Sequence, residues 1–175
     1  MKVWSVATVV LVLSVGVAAQ GPPAKGNTGK SAIAVTLGSL GCSTAVGTDA
    51  FEVLSWSWGA SNPGDLSGGG GGGAGKPTVS DLNLLKGFDA CSPALFGAVV
   101  TGKAFPTLTL TASNKDGTTT TVTLSDVRVS SWQASGNSTS DAAVESASFA
   151  FSKVCLADGA SSAKFCFDLS AGKTF

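Results

Sequence analysis

Apolar and polar residues alternate along most of the chain after Ser31, and a period of two predicts β-strands. In Ser31–Leu37 the residues Ile33, Val35 and Leu37 alternate with small or polar neighbours. Phe51–Trp58 reads as a second strand. Phe51, Val53, Ser55 and Ser57 lie on one face, and Glu52, Leu54, Trp56 and Trp58 on the other. The two tryptophans therefore point the same way. Thr78–Lys86 (TVSDLNLLK) is a third candidate, in a pattern that also tolerates a helix. Phe105–Ala112 sets Leu108, Leu110 and Ala112 against Thr107, Thr109 and Thr111. Asn114-Lys115-Asp116-Gly117 carries the Asp-Gly hairpin signal, and Thr119–Trp132 follows it. Apolar parity changes there between Leu124 and Val127, which predicts a bulge near Ser125–Asp126. Val144–Leu156 and Ala163–Leu169 form a closing hairpin around Asp158-Gly159, with Phe165, Phe167 and Leu169 on one face.

One stretch breaks this period. Ser92 is a suitable N-cap, Pro93 suits the first helical position, and Leu95, Ala98 and Val99 make a short helical stripe that Gly102 can end. Roughly seven strands joined mainly as hairpins, with one short flanking helix, predict a mainly β protein, an antiparallel barrel or two-sheet sandwich.

The first residues follow another pattern. Lys2 precedes an apolar run to about Val17, and Val17-Ala18-Ala19 precedes Gln20, the layout of a secretory signal peptide cleaved after Ala19. The run is interrupted by Ser5, Thr8, Ser14 and Gly16 and is shorter than a membrane span requires. Residues 20–30, rich in Gly, Pro and Asn, read as a flexible leader, and 31–175 as one domain. Gly59–Lys76, with six consecutive glycines from Gly68 to Gly73, reads as a mobile loop. The expected location is extracellular or periplasmic. There Cys42, Cys91, Cys155 and Cys166 form two disulfides, with three pairings open. The closing hairpin sets Cys155 and Cys166 at comparable distances from its loop, so we expect that pair, leaving Cys42 with Cys91.

Composition narrows the chemistry. Eleven basic residues balance eleven acidic ones, and 13% of residues are charged, which argues against a nucleic-acid partner. The chain contains no His and no Tyr, so the commonest general base, the commonest metal ligand and the phenolic acid are all missing. No CxxC pair suggests a metal site. Ala24–Ser31 (AKGNTGKS) matches a loose phosphate-loop pattern, but β-patterned sequence follows it where that chemistry needs a helix. The two glutamates, Glu52 and Glu145, could act as a glycosidase pair; both are read instead as strand residues on solvent faces. A serine nucleophile lacks its base and its elbow. Asn137-Ser138-Thr139 fits an N-glycosylation acceptor. Trp56 and Trp58 could stack on a carbohydrate or a partner, against the reading that at least one packs inward. We therefore expect no catalytic, cofactor or metal residues, with Trp56 and Trp58 as candidate interaction residues.

An ordered motif series resembles the Hcp family, the haemolysin-coregulated proteins of type VI secretion. It runs through Glu52–Gly59 (EVLSWSWG), Asn62-Pro63 with a Gly-rich loop, and Asp89–Leu95 (DACSPAL) at the start of the helix. Gly102-Lys103, Leu124–Ser131 (LSDVRVSS) and Glu145–Phe149 (ESASF) continue it. The resemblance implies a two-sheet β-barrel with one flanking helix, assembly into a six-membered homo-oligomeric ring, rings that stack into a secretion tube, and a lumen holding small effector proteins. It implies no catalytic residue; from the residues themselves we expect no cofactor, no nucleic-acid partner and, once the signal peptide is cleaved, no membrane partner. The signal peptide and the cysteines set the chain apart from tube proteins of that family. The leading expectation is thus an exported, non-enzymatic structural or binding protein of the Hcp type. The alternatives are a true tube component and a small secreted carbohydrate-binding sandwich.

Overall fold

The computed structural model describes residues 32–63, 76–138 and 142–175. The signal-peptide, leader, phosphate-loop-like and polyglycine segments lie outside them, as does Thr139 of the glycosylation motif. The described residues form twelve strands and one helix, and every pairing between strands is antiparallel.

The strands are β1 (Ala32–Leu37), β2 (Ala50–Glu52), β3 (Ser55–Ser57), β4 (Ala60–Ser61), β5 (Thr78–Val79) and β6 (Leu82–Gly87). After the helix α1 (Ser92–Thr101) come β7 (Ala104–Ser113), β8 (Thr119–Ser135), β9 (Val144–Ala150), β10 (Lys153–Asp158), β11 (Lys164–Asp168) and β12 (Lys173–Thr174). One layer runs β12-β11-β10-β8-β7-β1-β2. The other runs β8-β9-β6-β3, and β4 with β5 makes a separate ribbon. The 17-residue β8 belongs to both layers: Thr120–Ser125 pairs with β10, and Arg128–Ser135 with β9.

The predicted parity change in β8 has a definite cause, although no register slip occurs where the bulge was expected. Phe105↔Val127 and Thr107↔Ser125 keep one register across Asp126. Asp126 instead takes a left-handed conformation, φ 56°. Asp tolerates this better than bulkier residues, and it turns the following side chains to the other face. Val122 and Leu124 before it, and Val127 and Val129 after it, all point into the core. The register shift itself falls between Val129 and Ser131, against β9. Ser152 pins the same corner from the next strand, its hydroxyl donating to Asp126 Oδ2 at 2.6 Å and its amide to the Ser125 carbonyl.

Three segments read as single strands are each split. Phe51–Trp58 breaks at Val53–Leu54, Thr78–Lys86 at Ser80–Asp81, and Val144–Leu156 at Phe151–Ser152. At Val53–Leu54 the chain leaves one layer for the other. The Val53 amide donates to Ile33 of β1 and the Leu54 amide to Leu85 of β6. Closing two sheets into one barrel requires such corners, and the inward parity switches across them, from Phe51 and Val53 to Trp56 and Trp58, and from Phe149 to Val154.

The core is filled from both layers by Val35, Leu37, Phe51, Leu82, Leu108, Leu110, Val122, Leu124 and Phe149, with Leu95 and Ala98 from α1. Cys91, not Ser92, occupies the N-cap, without a side-chain bond to the helix. Ser92 is the first helical residue and its hydroxyl accepts from the Asp89 amide at 2.9 Å. Gly102 ends the helix at φ 64°, the left-handed conformation that glycine adopts without cost. The disulfides join Cys42 to Cys91 and Cys155 to Cys166. The first ties the β1–β2 loop to the helix start; the second links directly opposed residues of β10 and β11.

Asp49 organises the β1–β2 loop. Its carboxylate accepts the amides of Ser39, Gly41 and Cys42, and Lys103 Nζ donates to the Ser39 carbonyl at 2.6 Å. The amide bonds, that of Gly41 foremost, lower the Asp49 pKa. Hydroxyl and amide donors, Thr118 at Asp116 and Ser161 at Asp158, lower those of the two turn aspartates. A carboxylate with a depressed folded-state pKa contributes stability above its unfolded value, near 3.8, and loses that contribution as pH falls through the folded value. We expect thermal stability to decline below about pH 4. Asp49→Asn should flatten that decline in melting curves taken at stepped pH. An unchanged profile would show that Asp49 is not one of the groups responsible.

Candidate functional site

Two places gather polar or aromatic side chains beyond ordinary packing. One is an ion-pair cluster inside the β6–β9 layer. Lys86 on β6 is fully buried, as is Glu145 on β9, which the sequence reading had placed at the surface. Glu145 shares its parity with Ala147 and Phe149, both buried, so the strand carries it inward. Lys86 and Glu145 are directly opposed in the β6–β9 ladder. Lys86 Nζ lies 2.7 Å from Glu145 Oε1 and 2.9 Å from Asp89 Oδ1. It also donates to the Gly87 carbonyl and the Ser92 hydroxyl, and stands 5.2 Å from the Phe51 ring centroid. Trp132 Nε1 donates to Glu145 Oε2 at 3.1 Å.

Every charge in this cluster has a partner, which makes its burial tolerable. The ammonium and the glutamate carboxylate are closed to solvent, so no substrate reaches them. The cluster locks β6, β9, the C-terminal half of β8 and the start of α1 together. Glu52 lies exposed on β2 and takes no part. The two glutamates therefore do not flank a shared cleft, and the glycosidase geometry is absent.

The other place is an apolar cleft of about 260 Å³ between the β4–β5 ribbon and the β10–β11 hairpin. It is lined by Trp58, Ala60, Pro77 and Val79 on one side and by Val154, Leu156, Phe165 and Phe167 on the other. Cross-strand pairing explains the second wall: Val154 opposes Phe167 and Leu156 opposes Phe165, so all four share a face. Phe165 is 60% exposed, a large apolar surface for a single ring. Trp58 packs on Phe151 with ring centroids 6.4 Å apart. Among the described residues its buried indole N–H has no hydrogen-bond partner.

Trp56 and Trp58 are both half-buried and packed on the core, and only Trp58 lines the cleft. Phe165 and Phe167 were read, with Leu169, as one apolar face; their juxtaposition with Leu156 and Trp58 was not, because it depends on how the hairpin pairs and where the ribbon folds. No group of three or more His, Cys, Asp or Glu that could hold a metal occurs among the described residues. All four cysteines are used in disulfides. No helix among them is long and apolar enough to cross a membrane. The cleft offers an apolar contact surface.

Comparison with known proteins places this geometry. The family model described as type VI secretion system effector, Hcp, matches residues 28–157. A solved structure described as a type six secretion system protein is 26% identical, covering 83% of this chain and 100% of its own, with a TM-score of 0.72. Hcp1 from Salmonella typhimurium is 22% identical over 83% of this chain and 99% of its own, TM-score 0.68. A type VI secretion system effector from Yersinia pestis is 18% identical over 78% and 98%, TM-score 0.63. No curated protein matches the sequence.

Proposed function

The chain belongs to the type VI secretion system effector, Hcp, family, and from that premise we propose that it is an exported, ring-forming structural subunit without catalytic activity. The observation that carries the ring is the apolar cleft. A solvent-open surface built from Trp58, Leu156, Phe165 and Phe167 on a protein with so few charges favours burial against another copy. A contact between two different patches of one chain closes into a ring when the rotation per subunit allows it. Six subunits is the number the family resemblance implies. A lumen in such a ring would offer space for a small effector protein.

Export rests on the residues before Gln20. Cleavage after Ala19 delivers residues 20–175 to an oxidising compartment, where two disulfides persist. N-terminal sequencing of the secreted protein should begin at Gln20. Retention of Met1 would instead support a tube component expelled directly by a secretion machine.

Light scattering on the mature, oxidised protein tests the assembly. We expect a closed oligomer that Phe165→Lys converts to monomer while strand content is unchanged. A wild-type protein that stays monomeric at high concentration would remove the ring. Non-catalysis is supported by the missing His and Tyr and by the closure of the Lys86–Glu145 cluster to solvent.

A further inference from the structure

Lys86 has one more close neighbour than its ammonium can bond. An ammonium carries three N–H donors. Those of Lys86 go to the Gly87 carbonyl at 2.9 Å, the Ser92 hydroxyl at 3.3 Å and Glu145 Oε1 at 2.7 Å. Asp89 Oδ1, 2.9 Å from the same nitrogen, is a fourth contact beyond those three. The nitrogen is thus packed against the Asp89 carboxyl group while its protons are spent elsewhere.

All three side chains are held in place. Lys86 is fixed by the β6–β9 ladder and lies over the Phe51 ring. Glu145, directly opposite on β9, has its second carboxylate oxygen bonded by Trp132 Nε1. Asp89 Oδ1 accepts the Cys91 amide at 2.8 Å, and the Asp89 amide donates to the Ser92 hydroxyl. An amine, a carboxyl group and a second carboxylate in contact with the amine, all shielded from bulk water, are the components of amide formation. Groups fixed in contact react as though at very high concentration. Burial also favours the product, because a neutral amide replaces two charges taken out of water.

We propose that Lys86 and Asp89 join in an intramolecular isopeptide bond, with Glu145 carrying the protons. Glu145 takes a proton from Nζ, and the neutral amine attacks Cγ of Asp89. The N–C bond forms, and the Cys91 amide stabilises the oxyanion of the tetrahedral centre. Glu145 passes that proton, and then a second one from Nζ, to the other Asp89 oxygen. The C–O bond to that oxygen breaks and it leaves as water, while one N–H remains in the new amide. Glu145 ends as the carboxylate it began as, and no oxidant or co-reactant is consumed. Lys86 and Glu145 are closed to solvent, whereas the Asp89 side chain is 29% exposed and gives the released water an exit. The ion-paired cluster is the reactant state. The reaction turns over once within one chain, so it requires neither a ring nor an external substrate. The bond spans only Lys86 to Asp89, so it pins the start of α1 to β6 and adds little to global stability.

Mass spectrometry tests the bond. The folded, oxidised protein is held at neutral pH, then unfolded, reduced and weighed intact and as tryptic peptides. The wild type should be lighter than its sequence by one water, and trypsin should not cut after Lys86. Glu145→Gln and Lys86→Arg should each show the full sequence mass. Asp89→Asn should lose ammonia in place of water, because its amide nitrogen becomes the leaving group; a purely structural role for Asp89 predicts no such change. The wild-type measurement needs no variant, so misfolding of a variant leaves the test decisive. A wild type at full sequence mass would overturn the proposal. So would a water loss that hydroxylamine reverses while trypsin still cuts after Lys86, which marks a succinimide at an aspartate. Retention of the water loss in folded Glu145→Gln would overturn the role of Glu145.

Discussion

Glu145→Ala is expected to cost about 3–5 kcal/mol in urea unfolding, the largest effect of any single substitution outside the apolar core. Removing the carboxylate leaves Lys86 Nζ, which is fully buried, facing Asp89 and a cavity where its nearest oxygen had been. It also leaves the Trp132 indole N–H without its acceptor. The loss is mainly the penalty of a stranded charge, not the net worth of the ion pair. Two charges taken out of water have already forgone most of the energy that their attraction returns. The double variant Lys86→Met/Glu145→Leu removes both charges at roughly constant volume and should recover most of the stability. A single-variant cost below about 1 kcal/mol would mean that water reaches the cluster and screens it.

The second large effect is on the disulfides. Cys42–Cys91 closes 49 residues and Cys155–Cys166 only 11. Chain-entropy scaling assigns about 4 kcal/mol to the first and about 3 kcal/mol to the second. The difference should widen in practice. Cys155 and Cys166 are already opposed in a continuous hairpin ladder, so their denatured-state loop is short and locally restrained. Cys42–Cys91 instead joins the Asp49-centred loop to the start of α1, which no strand ladder bridges. Paired alanine variants unfolded in denaturant should rank Cys42/Cys91 as the costlier loss. The reverse order would show that the β1–β2 loop holds its place without the covalent link.

Most elements could be read along the chain because alternation is a local property. Phe105–Ala112, the Asp116-Gly117 turn and the helix before Gly102 each announce themselves within ten or so residues. The candidate sites could not be read this way. Glu145 was judged by its charge, although the parity of Glu145, Ala147 and Phe149 pointed inward. Trp58 was read beside Trp56, but its wall of the cleft exists only where the β4–β5 ribbon meets β10 and β11. The corners at Val53–Leu54 and Phe151–Ser152 do change the apolar parity, from Phe51 and Val53 to Trp56 and Trp58 and from Phe149 to Val154, but each segment was read as one strand.

The sequence by itself determined the mainly β class, the flanking helix and, through an ordered motif series, the family. These depend on period, on residue types present or missing, and on spacing, all properties of neighbours in the chain. The tertiary structure decided which strands bend, which carboxylate is buried and which tryptophan faces a cleft. Each of these depends on residues tens of positions apart, such as Lys86 with Glu145 or Trp58 with Phe165. Closing two sheets on one core sets those distances, and no local period records them.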